Sequence, residues 1–292
     1  MNPHKLQAQN EIDSRARIFV TRAELKRLPF KKKTRSRARA IFGAYCRIIE
    51  KKRHSSSEHQ SQSLLPVTPE TIVREILNVD YIEQDSIPSE PLEDFKTSKS
   101  LTEIAGLIDR KKGRIVIATK FEPEWRRFTA AHEIGHWVLH KDVVYLRERP
   151  VREVLSRNPR QHSLSFKSVR LRERPMTGHE LAYTKRPPVE RDADTFAADL
   201  LMPPEHLVRH FFYRFGGPIH PERVTEDLAF WLSIGGKTFT AREFLMWPLR
   251  DRSCHLARMK SFNGRPFRSL TQQFGVSMTP MAIQLEDLGL VS

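Results

Sequence analysis

The sequence predicts an α+β fold in which a small β-sheet packs on one central helix, with mainly helical surroundings and C-terminal helices. Three observations carry this. The runs EIAGLID (103–109) and GRIVIAT (113–119) are short and apolar, and the turn-like Arg110-Lys111-Lys112-Gly113 between them makes a β-hairpin. The segment EWRRFTAAHEIGHWVLH (124–140) follows Pro123 and sets Trp125, Phe128, Gly135 and Leu139 along one side of a helix. A second amphipathic helix, VERDADTFAADLLM (189–202), stops at Pro203-Pro204.

The 292 residues suffice for one large domain or two small ones with a real core. Only Cys46 and Cys254 occur, far apart, which excludes a disulfide framework and a cysteine-type zinc site and fits a reducing compartment. No apolar stretch approaches the roughly 18 residues of a membrane span, and the N-terminus lacks the apolar core of a secretory signal. A cytoplasmic protein with no membrane association is expected. The net charge of +15 is concentrated at one end: residues 1–60 hold 16 Lys and Arg against 5 Asp and Glu, and the body is nearly neutral.

In chain order, residues 1–62 are expected to form a basic extension and linker. Within it, SRARAIFGAYCRIIEKKR (36–53) places Ala38, Ile41, Phe42, Tyr45, Ile48 and Ile49 on one helical stripe, and the polar HSSSEHQSQS (54–63) follows. A basic amphipathic helix can touch nucleic acid, but no interleaved exposed aromatics support that; a helix docked on the body by its apolar face is favoured. Residues 63–215 are expected to form the core. It opens with a helix over 68–79 with Thr68 as N-cap, and the hairpin and the two helices above follow. The Arg- and Pro-containing stretch 141–188 separates those two helices. Residues 216–292 read as a helical C-terminal part. Within it, 267–274, Gly275, Ser277 as N-cap and 278–288 have a helix-turn-helix look. With Glu286 and Asp287 and few cations that block is a poor phosphate-binding surface, so packing is expected rather than DNA binding.

The chemistry centres on His132-Glu133-Ile134-Gly135-His136, an HExxH sequence. Four residues turn a helix by about 400°, so His132 and His136 project from one face a turn apart and can share one zinc ion. Glu133, one position along, is placed to act as general base on water at the metal. A catalytic zinc takes three protein ligands and keeps one position open. Glu190, at the start of the second helix, is the candidate third ligand, with Asp192 and Asp194 as competitors. Asp192 lies about 200° round the helix from Glu190, so the two cannot both face the metal. Asp194, one turn on, is better suited to accept a ring N–H from a ligand histidine. His140 is expected to cap the helix or line the cleft. His162, His179, His206, His210 and Tyr183 are undistinguished candidates for stabilising an oxyanion.

The blocks RRFTAAHEIGHWVLH (126–140), ERDADTFAADLLMP (190–203) and FGVSMTPMAIQLEDLGLV (274–291) resemble the ImmA/IrrE-type metallopeptidases. In that family the second block usually reads E-x-x-A-N-x-F-A-A-x-L-L-M-P; Glu190 takes the place of its ligand glutamate, and Asp194 stands where Asn is usual. The 146–188 segment and the basic extension depart from the family pattern. The resemblance implies a zincin-like minidomain and limited proteolysis of a specific protein partner, commonly a helix-turn-helix repressor of a mobile element or stress regulon. It also admits a toxin–antitoxin component. The rival from another class is a non-catalytic, metal-stabilised regulator that binds DNA or a repressor.

Overall fold

The computed structural model describes residues 32–55, 64–87, 105–140, 145–148, 188–233 and 238–292. The polar linker beyond Ser55, nearly all of the 141–188 stretch, and with it His162, His179 and Tyr183, lie outside the described residues. The fold is α+β, mostly helical with a small sheet. The chain forms two compact units: Pro69–Ala197, and Met1–Thr68 together with Ala198–Ser292.

The Pro69–Ala197 unit begins with α1 (Pro69–Thr71), which passes directly into a π-helical turn, Ile72–Ile76. The helix is shorter than the expected 68–79. Leu77 N–H donates to Ile72 O at 3.0 Å, and Asn78, at φ 52°, turns the chain out of the helix. Asparagine tolerates that left-handed conformation better than most residues. After Val79 the chain enters a strand of five residues, β1 (Asp80–Gln84). The expected hairpin is present as β2 (Gly106–Asp109) and β3 (Arg114–Ala118), antiparallel, with Gly113 at φ 62° in the turn. Its sheet is wider than the hairpin: β1 pairs parallel with β3, and β4 (Tyr145–Glu148) pairs antiparallel with β2, giving the order β1-β3-β2-β4.

Strand alternation gives this sheet two apolar faces. Leu107, Val116 and Ala118 pack with Ile87, Ile82 and Phe121 on one of them. The opposite residues Gly106, Ile108, Ile115 and Ile117 are all buried. On that side α2 (Pro123–Leu139), with Pro123 at its first position, packs against β2 and β3. The unit closes with α3 (Pro188–Leu201), whose last turn continues beyond it.

In the second unit the basic helix is α4 (Lys32–Ser55), longer than its amphipathic stripe predicts. Ala38, Phe42, Tyr45 and Ile49 are buried, and Phe42 meets His206 edge-on at 5.2 Å. This helix is core of its unit, as the docked reading expects. His206 and His210 sit on α5 (Pro204–Phe215), which ends on Gly216 in a left-handed C-cap, and His210 packs edge-on against Phe274 at 5.6 Å. Then come α6 (Glu226–Leu232), α7 (Ala241–Met246), α8 (Leu249–Arg258), a two-stranded hairpin (Ser261–Phe262 with Arg265–Pro266), α9 (Leu270–Phe274) and α10 (Met278–Asp287). The helix-turn-helix-like block packs, as its charge predicts. Leu270, Phe274, Met281, Ala282 and Leu285 are buried, Gln284 donates to Asp199 at 2.9 Å, and Arg250 clamps Glu286 through two bonds of 2.7 and 2.9 Å. Among the described residues no helix is long and apolar enough to cross a membrane.

Candidate metal centre

The HExxH residues sit on the buried middle of α2. Thr129 through His136 are buried, whereas Trp125, Phe128 and Leu139, on which the sequence reading leaned, are only half-buried. Burial here depends on small residues (Thr129, Ala130, Ala131, Gly135) that let neighbouring elements come close. A Cβ on Gly106 of β2 would lie 2.7 Å from both Glu133 Oε1 and Thr129 Cγ2, so the strand backbone rests on the Glu133 side chain. A Cβ on Gly135 would lie 3.1 Å from Ala193 Cα and O and 3.2 Å from a Phe196 ring carbon, which brings α3 against α2.

That close approach delivers Glu190. Its carboxylate lies 3.2 Å from His132 Nε2 and 3.5 Å from His136 Nε2, and the two Nε2 atoms are 2.8 Å apart. Two imidazole nitrogens and one carboxylate oxygen all fall within 4.8 Å of one another. Asp194, one turn further along α3, faces the other side of His132, with Oδ1 2.9 Å from Nδ1. Asp192 is exposed. The structure therefore brings His132, His136 and Glu190 together and sets Asp194 behind a histidine, where the helical geometry puts it.

The electrostatics follow from this packing. Burial alone would push the Glu190 carboxyl up, but hydrogen bonds and charge from His132 and His136 outweigh it and hold the group well below the usual carboxylate range. Burial lowers the His136 imidazole, against the pull of Glu190, and burial lowers His140 as well. A carboxylate only accepts, so His132 donates Nδ1–H to Asp194 and turns the lone pair of its Nε2 towards Glu190 and His136. Electron-rich atoms converging on one buried point call for a proton or a cation between them. The gap of 2.8 Å between the two nitrogens is somewhat shorter than the roughly 3.3 Å that sharing a tetrahedral ion requires. The donor set of two imidazoles, one carboxylate and an outer carboxylate fits a divalent ion such as zinc, with other first-row metals also suited to it.

Residues 87–154 match the family model Peptidase_M78, the IrrE N-terminal-like domain. The resemblance to ImmA/IrrE-type peptidases is borne out over this span, which holds the hairpin and the HExxH helix. The Peptidase_M78 match supports a metallopeptidase and ends before Glu190, so the third position of the triad rests on the geometry above. No curated protein matches the chain.

Two features of the site escaped the sequence reading. Arg110, placed in the hairpin turn, donates from Nη2 to the carbonyls of His136, Trp137 and His140 at 3.0, 2.9 and 3.1 Å, and its guanidinium lies 4.5 Å over the Trp137 ring. It thereby gives donors to the Trp137 and His140 carbonyls at the end of α2, and adds a second donor to the His136 carbonyl, which already accepts from the His140 N–H. The second is the Gly135 contact, and it carries a prediction. Because its nearest neighbours are Ala193 backbone atoms, Gly135→Ala must part α2 from α3 by a few tenths of an ångström. The expected cost is about 1–3 kcal/mol of stability together with weaker metal binding, read by urea unfolding and zinc titration. Unchanged zinc affinity would show that Glu190 does not depend on this approach.

Proposed function

We propose that the chain is a zinc-dependent endopeptidase that performs limited proteolysis of a specific protein. His132, His136 and Glu190 hold the metal, and Glu133 is the general base. The observation that carries this reading is the convergence of both Nε2 atoms and the Glu190 carboxylate on one buried point, with Asp194 fixing His132 from behind. The helix lying on a small mixed sheet supports a zincin-like minidomain.

Bound to these three side chains, zinc would supply Lewis acidity, activating water and polarising the scissile carbonyl. The chain's own residues do the rest. Asp194 holds His132 in the tautomer that leaves Nε2 free. Glu133 accepts the proton of the attacking water and passes it to the leaving amine. The β2 backbone at Gly106 packs against Glu133 and keeps its carboxylate out of bulk water.

The substrate class favoured by the ImmA/IrrE resemblance is a helix-turn-helix repressor, cleaved in the cytoplasm, with a toxin–antitoxin target as the alternative. The non-catalytic regulator has less support, because a purely structural metal site has no use for a glutamate at position 133. The deciding experiment is metal analysis of the purified protein beside His136→Ala and Glu190→Ala. About one zinc per chain, lost in both variants, is expected. Zinc lost only in His136→Ala would transfer the third position to Asp194 or elsewhere. No zinc in the wild type, even after its addition, would sink the peptidase reading and leave the binding regulator in front.

A further inference from the structure

We propose that His140 is a positioning residue for this metal centre: its Nδ1 accepts the Nδ1–H of His136 and so fixes His136 in its ligating tautomer. The proposal rests on the reading of His132, His136 and Glu190 as metal ligands. It goes beyond that reading by assigning a role to a residue outside the HExxH motif.

An imidazole that ligates through one ring nitrogen needs an acceptor for the N–H on the other. For His132 that acceptor is Asp194, which can do nothing but accept. Among the described residues no carboxylate stands in the same position behind His136. Its Nδ1 lies 3.0 Å from His140 Nδ1 instead, with the two rings 5.1 Å apart and inclined at 49°. At that distance exactly one proton fits between two neutral rings, so their tautomers are coupled. With the proton on His136 Nδ1, the His136 Nε2 lone pair is available to a cation beside His132 Nε2 and Glu190. With the proton on His140 Nδ1, His136 Nε2 carries hydrogen and cannot ligate.

His140 is held where this choice can be enforced. It is the C-cap of α2, its backbone N–H donates to His136 O at 3.0 Å, and Arg110 Nη2 grips the His136, Trp137 and His140 carbonyls together. The hairpin thus pins the backbone of His136 and of its hydrogen-bond partner through one guanidinium. Loop residues just past a helix end ordinarily fray; this one is tied to the sheet.

The test uses the full chain and zinc itself. Affinity is measured by competition with a chelating dye for the wild type, His140→Phe (a ring without an acceptor) and His140→Gln (an acceptor without a ring), alongside the visible spectrum of the cobalt-substituted proteins. His140→Phe is expected to lose about 10–100-fold in zinc affinity and to shift the cobalt bands, and His140→Gln to recover most of the loss. The metal-free melting midpoints of the three proteins are expected to stay close, which separates a hydrogen bond from a fold defect. Wild-type affinity in His140→Phe, or a loss that His140→Gln does not restore, would overturn the proposal while the metal centre stands. A wild type that binds no zinc removes the metal centre and this proposal with it. A variant that fails to fold is bypassed by the wild type's own long-range 1H–15N spectrum with zinc bound. There His136 is expected to carry its proton on Nδ1, and a proton on Nε2 overturns the assignment.

Discussion

Glu133→Gln is expected to bind zinc as tightly as the wild type and to lose about 10²–10⁴-fold in cleavage rate. Glu133 is fully buried, and its Oε1 lies where a Cβ on Gly106 would come within 2.7 Å, so there is no room for a larger group and no solvent to take over its function. Glutamine matches the volume and keeps a carbonyl oxygen, so the α2–β2 contact and the imidazole ligands on either side of it in the helix are undisturbed. What it lacks is basicity. An amide cannot take a proton from water and return it to an amine, so a base role vanishes while a structural one survives. The measurement pairs metal content with mapping of newly formed N-termini in cells expressing wild type or variant. Full cleavage by the variant would remove Glu133 from the mechanism. Loss of zinc along with cleavage would make it part of the metal site instead.

The sequence carried the site further than the sheet. A period of four on α2 and the Glu190–Asp194 turn on α3 are local facts of helical geometry, so spacing pairs His132 with His136 and Glu190 with Asp194, whereas the meeting of the two pairs depends on the close approach of the helices at Gly135. The hairpin was legible for the same reason: Ile108, Ile115 and Ile117 bracket a turn of four residues. β1 was not. Asp80–Gln84 reads DYIEQ and buries only Tyr81, and its parallel pairing with β3 is a long-range match without a local signal. β4 hid in a polar, Arg-rich stretch for a similar reason. The partners of the ligands followed the same divide. Asp194 shares a helix with Glu190 and could be read from spacing, whereas the grip of Arg110 on three carbonyls spans 26 to 30 residues and exists only once the hairpin lies beside the helix end.

Charge misleads most in the basic helix, and its largest consequence is for stability. Residues 1–62 read as a basic extension and linker, yet Arg35 Nε lies 3.1 Å from Asp199 Oδ2, with side chains only 10% and 3% exposed. The other Asp199 oxygen accepts from Gln284, so one carboxylate just past Ala197 ties α4 to α10 within this unit. Arg35→Ala is therefore expected to destabilise this unit by about 3–5 kcal/mol near neutral pH, because it strands a buried carboxylate rather than merely losing an attraction. The exposed Arg39–Glu205 pair, at 2.9 Å, is by contrast worth less than about 1 kcal/mol. The pH dependence separates the two causes. Burial already raises the Asp199 carboxyl, with Arg35 opposing it, so removing Arg35 raises it further. A carboxyl whose folded value exceeds its unfolded one stabilises most below the unfolded value and loses that stability as pH rises through the folded one. The Arg35→Ala deficit should therefore shrink as pH falls from 7 towards 4, and Arg35→Ala with Asp199→Asn should be less damaged at pH 7 than Arg35→Ala alone. Urea unfolding of the three proteins across that range reads both effects. A deficit independent of pH, or a double variant no better than the single one, would mean that lost packing, not a stranded charge, sets the cost of removing Arg35. Truncation at residue 62 would remove the same arginine and the buried Phe42 and Tyr45 with it, so a loss of DNA affinity or turnover in that truncated chain would report unfolding before it reported anything about the basic surface.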